Sequence, residues 1–144
     1  MRFHASCAAR ANAAGYDAVM ILGGPGCGKS DFVLRLMEDG FMLVADDQVL
    51  VEQGMASVPE ALAGLLEVRG LGIFHRPYLE SAPLRLVIRL GQPAARLPEP
   101  ELHAELHLPV VTIDPAAPGA IARAKLALEA ACGRATQLTG AFAA

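Results

Sequence analysis

Apolar residues fall into short blocks along this chain, cut by glycine, proline and acidic residues. Ala18-Val19-Met20-Ile21-Leu22 and Phe41-Met42-Leu43-Val44-Ala45 are continuous apolar runs of strand length. Such runs suit strands buried on both faces. Between them Phe32/Leu36 and Val33/Met37 recur at helical spacing from Asp31 to Asp39, and Gly40 stands where a helix C-terminal glycine belongs. Leu84, Leu86, Ile88 and Leu90 alternate with Arg85, Val87 and Arg89, which predicts a strand with one wetter face. Shorter runs at Val49–Val51, Leu65–Val68 and Leu108–Ile113 read as further strands. The stretch from Gly91 to Glu101 holds three prolines and reads as a loop. Pro118 and Gly133 bracket a last helix, after which a flexible tail is expected over residues 133–144. The pattern predicts an α/β fold, with one domain over residues 1–132.

Composition narrows the class. Of 144 residues 53% are hydrophobic and 19% charged, which excludes a disordered chain. The net charge is −3 and no basic run occurs, so no nucleic-acid partner is expected. The three cysteines, Cys7, Cys27 and Cys132, are far apart and form no disulfide or zinc pattern. A reducing, cytoplasmic location is therefore expected. No apolar stretch approaches the ~20 residues of a bilayer span, so no membrane association is expected. His103 and His107 are four apart but have no evident third metal ligand, and read as a solvated pair.

Gly23-Gly24-Pro25-Gly26-Cys27-Gly28-Lys29-Ser30 matches G-x-x-x-x-G-K-[ST], with a strand before it and a helix after it. Glycines let backbone N–H groups curl around a polyphosphate, and the helix N-terminus adds its dipole. Lys29 reaches the outer phosphates, and Ser30 offers a hydroxyl to Mg²⁺. Cys27 reads as a filler of the loop. Asp46-Asp47 ends the second apolar strand, where an acid in phosphate-loop proteins serves the metal. Two adjacent acids on a strand point to opposite faces, so one must turn at the strand end to join the other. Further on, Leu66-Glu67-Val68-Arg69-Gly70-Leu71-Gly72-Ile73 puts Glu67 and Arg69 on one face if extended. That pair suits a metal–phosphate site, and Gly70 would let the backbone approach a partner.

His4, the phosphate loop, Leu43-Val44-Ala45-Asp46-Asp47 and the Glu67-x-Arg69-Gly70 segment together resemble the catalytic domain of HPr kinase/phosphorylase. The resemblance runs over roughly residues 1 to 132. The run Arg96-Leu97-Pro98-Glu99 resembles the family's short forms, which lack the N-terminal domain of longer members. The resemblance implies a phosphate-loop kinase fold, a mixed sheet with flanking helices. It implies ATP and Mg²⁺ as cofactors and a serine of the phosphocarrier protein HPr as acceptor. The reverse phosphorolysis of phosphoserine-HPr is implied as well, as is a homo-oligomer, hexameric in the family. By the same resemblance Lys29 matches the phosphate-loop lysine and Ser30 and Glu67 match magnesium ligands. Asp47 matches the residue that takes the serine proton, His4 a histidine before the first strand, and Arg96 an arginine in a mobile loop. From the residues alone either Asp46 or Asp47 fits as the base. A small-metabolite kinase and a non-catalytic nucleotide-binding regulatory module are the alternative readings.

Overall fold

A computed structural model describes residues 1–143. Ten strands and two helices follow in the order β1 (Arg2–Phe3), β2 (Ser6–Ala11), β3 (Tyr16–Leu22), α1 (Lys29–Glu38), β4 (Met42–Ala45), β5 (Val49–Glu52), β6 (Met55–Ser57), β7 (Leu65–Val68), β8 (Gly72–His75), β9 (Ser81–Leu90), β10 (Val110–Ile113) and α2 (Ala120–Ala131). Both apolar runs are strands, the amphipathic stretch is α1, and the proline-rich stretch from Gly91 is a loop. Four strands escape the sequence pattern: β1, β2, β6 and β8. The first of them, Arg2–Phe3, puts His4 after the first strand and not before it. Ser6–Ala11 is alanine-rich, yet β2 is seated between β3 and β4. Gly72–His75 pairs with β7 as a separate hairpin.

The main sheet runs β1-β5-β6-β9-β3-β2-β4, with β10 also on β9. β9 joins its two parts. Its first residues pair antiparallel with β6, and its later ones pair parallel with β3 and β10. β2 lies antiparallel to both β3 and β4, so β3, β4, β9 and β10 all point the same way. The C-terminal ends of β3, β4 and β9 and the start of β2 therefore share one sheet edge.

Both faces of the sheet are covered, which is why β3 reads as a continuous apolar run. Val19 and Ile21 pack with Phe32, Leu36 and Leu128 under the two helices. Ala18 and Met20 pack with Val44, Val49, Val51 and Val87 on the opposite face, where the β1–β5–β6 part curls over. Burial with no polar partner pushes the Cys7 thiol pKa far up, so this cysteine acts as a small apolar residue. No helix among the described residues is long and apolar enough to cross a membrane. After α2 the described residues form no further helix or strand. Phe142 nonetheless packs against the core and Arg134 reaches back to β3, while Ala144 lies outside the described residues.

Asp17, at the start of β3, is buried and accepts from Arg134 at 2.8 Å and from Arg85 at 3.3 Å. Burial alone would raise its pKa; bonds from Asn12, Arg134 and Arg85 outweigh that and hold the carboxyl below its usual range. A lowered folded pKa contributes stability above the unfolded value of about 3.9, and that contribution fades as pH falls through the folded value. Asp17→Asn is therefore expected to lose about 2 kcal/mol at pH 7. The deficit should shrink toward zero as urea midpoints are followed below pH 4. A deficit that does not change with pH would mean that packing, not charge, holds this end.

Candidate active site

The sequence motifs converge on the shared sheet edge. β3 ends at Leu22, the glycine-rich loop follows, and α1 begins at Lys29. Gly26 (φ 73°) and Gly28 (φ 95°) lie in the left-handed region, which lets the loop curl without Cβ clashes. Gly23 is needed for a different reason. A Cβ there would lie 2.2 Å from Cys27 Sγ, so the thiol side chain fills the space over this glycine. Cys27 thus packs inward, against the core beneath the loop. α1 starts without a side-chain cap, which leaves its first N–H groups for an anion. Lys29 Nζ lies across the loop and donates to the carbonyls of Gly23 at 2.9 Å and Gly24 at 3.2 Å.

Asp46 sits at the end of β4, buried. Its Oδ1 accepts from Ser30 Oγ and from Ser6 Oγ, each at 2.7 Å. Its Oδ2 accepts from the Glu67 backbone N–H at 3.1 Å. One carboxylate thus ties β2, the start of α1 and β7 together. Ser6 was invisible as a site residue in the sequence, because nothing there shows that β2 begins beside β4.

Asp47 makes the turn that two adjacent acids require. Its φ is +73°, and Gln48 N–H closes the turn on the Asp46 carbonyl at 2.9 Å. Ala5 N–H holds the Asp47 carbonyl at 3.2 Å, fixing this uncommon backbone. The Asp47 side chain is thereby turned out to solvent, with Oδ1 3.5 Å from His4 Nδ1. Such backbone outliers concentrate at working sites and cost on the order of 1–3 kcal/mol.

A cavity of about 470 Å³ opens between these parts. His4, Lys29, Ser30, Asp47, Glu67 and Arg69 all line it, as do Pro25, Gly26 and Gly28. Asp46 lies beneath its floor, bonded to Ser30. Gly70 (φ 87°) is in the β7–β8 turn, outside the lining. Arg96 is exposed in the loop after β9 and does not line the cavity. His103 Nδ1 accepts from the N–H groups of Glu105 and Leu106, so it closes a turn.

Ser30, Asp46 and Glu67 offer hard oxygen donors beside the loop, which is the chemistry Mg²⁺ takes. Among the described residues no cage of three His, Cys, Asp or Glu side chains occurs. A Mg²⁺ here would draw the rest of its ligands from phosphate and water, the ordinary arrangement for this ion. The residues present fit a magnesium–phosphate ligand.

Comparison with known proteins agrees with this geometry. Residues 14–79 match the family described as HPr Serine kinase C-terminal domain. That span holds the loop, Asp46, Asp47 and the Glu67–Gly72 segment; His4 and Arg96 lie outside it. The HPr kinase/phosphorylase of Brevibacillus brevis is 44% identical over 62 residues, 40% of this chain and 20% of that protein. The HPr kinase/phosphorylase of Xylella fastidiosa is 37% identical over 87 residues, 52% of this chain and 28% of that protein. The aligned chain therefore spans between a fifth and three tenths of these relatives' length. The structure of the Hpr(Ser) kinase/phosphatase from Coxiella burnetii superposes with a TM-score of 0.71 at 21% identity, over 92% of this chain and 95% of that one. The fold is thus the expected one, a mixed sheet with flanking helices, and the likeness to HPr kinase/phosphorylase expected from the motifs holds.

Proposed function

We propose that this chain transfers the terminal phosphoryl group of ATP to a serine of HPr, with Mg²⁺ as the companion ion, in the cytoplasm. The observation that carries this reading is the turn at Asp47. It brings an exposed carboxylate to the cavity that Lys29, Ser30 and the uncapped start of α1 also line. A binding module has no need of a proton acceptor held at that place.

Phosphoryl transfer asks for positioning and charge neutralisation more than for covalent help. The loop amides and Lys29 bind the phosphates. Ser30 and Glu67 would hold the Mg²⁺, which supplies charge neutralisation when bound, and Asp46 orients the Ser30 hydroxyl. Asp47 takes the proton as the serine oxygen bonds to phosphorus and the bond from phosphorus to the ADP oxygen breaks. His4 Nδ1 stands 3.5 Å from Asp47 Oδ1 and borders the same cavity. Run backwards, the same groups return the proton while inorganic phosphate takes the phosphoryl group and leaves as pyrophosphate. Arg96 has no step here, being outside the cavity.

The test is to incubate the protein with Mg²⁺, γ-labelled ATP and purified HPr. Label is expected on a serine of HPr, and its release as pyrophosphate when unlabelled phosphate is then added. Label that transfers to a small hydroxylated metabolite instead, with HPr unlabelled, would overturn the choice of acceptor.

A further inference from the structure

The β7–β8 hairpin pairs only with itself, apart from the main sheet. All four residues of β8 are exposed. The exposure falls on large apolar side chains: Leu71 is 75% exposed, Ile73 70% and Phe74 44%. β7 is fixed to the body by buried Leu66 and by the Glu67 N–H on Asp46, so the large apolar side chains left exposed on the outer part of the hairpin call for a function. Its base is pinned by Arg76 N–H on the Gly64 carbonyl at 2.7 Å. The His75 ring lies so close to Gly64 that a Cβ there would meet it at 2.8 Å.

The register joins this surface to the cavity. Ile73 stands directly opposite Glu67, and partners in an antiparallel pair share a face. Leu71 closes the adjoining turn, its N–H on the Val68 carbonyl at 2.9 Å. The apolar surface thus continues from the cavity wall that Glu67, Val68 and Arg69 form.

We propose that this hairpin is the docking surface for the protein that carries the acceptor hydroxyl, with Leu71 and Ile73 as its apolar anchors. The inference rests on the kinase reading and adds where on this chain the acceptor protein is held. Two arguments fix the occupant. The Leu71 and Ile73 surface adjoins the cavity wall that Glu67, Val68 and Arg69 form, which a small acceptor would enter without meeting either side chain. Charge fits as well. Between Leu65 and Arg76 the only acid is Glu67, against Arg69 and Arg76, so the partner's contact face is apolar and neutral or mildly acidic.

The experiment compares wild type with Leu71→Gln/Ile73→Thr, in which threonine keeps strand preference. HPr is the acceptor, and Mg·ATP affinity is measured separately. The KM for HPr is expected to rise about 10-fold or more, with kcat at saturating HPr and the ATP Kd unchanged. Leu71→Gln alone, in the turn, should show part of the rise if the double variant folds poorly. An unchanged KM overturns the proposal and leaves the kinase reading standing. So does a wild-type oligomer, seen by light scattering, that the double variant dissolves, since a second copy would then cover the hairpin. A wild type that binds ATP but never labels HPr fails the kinase reading itself, and the docking surface with it.

Discussion

Asp47→Asn is expected to slow phosphoryl transfer to HPr by about 10²- to 10⁴-fold, the range for loss of a general base. Nucleotide affinity should hardly move. The amide keeps the size of the side chain and cannot take a proton. Asparagine also tolerates the left-handed backbone found at this position, so the turn against Ala5 should persist. A base acts in the transition state, so the loss belongs in kcat and not in ATP binding. Stopped-flow transfer and an ATP titration on the same preparation measure the two. A variant within threefold of wild type would move the role to another acceptor, and Asp46 is the carboxylate adjacent in the sequence. Asp46 is a poor candidate on geometry, because its oxygens already accept from Ser6, Ser30 and Glu67.

Lys29→Ala should damage both steps. The ammonium bonds to the Gly23 and Gly24 carbonyls, so it braces the loop before any ligand arrives. With a polyphosphate present those bonds give way to charge-assisted bonds worth about 1.5–3 kcal/mol. Their loss predicts ATP binding weaker by about 10- to 150-fold. Charge on the transferring group spreads over its outer oxygens, and removing a donor aimed at such charge costs about 10²–10³ in kcat. The combined fall in kcat/KM is read from initial rates at limiting ATP, with circular dichroism as the check on folding. Normal kcat with only weakened binding would confine Lys29 to the ground state.

Much of this site was legible in the sequence because its parts lie on local patterns. The loop is a continuous motif with a strand before it and a helix after it. The acid pair ends a visible apolar run. Asp47 had to turn at the strand end to share a site with Asp46, and its φ of +73° is that turn. What was hidden depends on pairings distant in sequence. β2 is made of serine, cysteine, alanine and arginine, which carry little strand preference; its place between β3 and β4 makes it a strand. Ser6 was hidden for that reason, and so was the bond from its hydroxyl to Asp46. The segment after Gly133 reads as small and polar, and two long side chains within it, Arg134 and Phe142, reach the folded body. Arg96 rests on resemblance alone, and it does not line the cavity.

The position of β9 bears on how this chain can be cut or synthesised. β3, the strand that presents the phosphate loop, has β2 on one side and β9 on the other. The span that matches the family, residues 14–79, includes neither neighbour. A fragment trimmed to that span would expose both edges of β3 to solvent and to other chains. On the ribosome, too, the loop's strand gains its second partner only once Leu84 to Arg89 have emerged. Until then that edge of β3 stays unpaired, open to other chains.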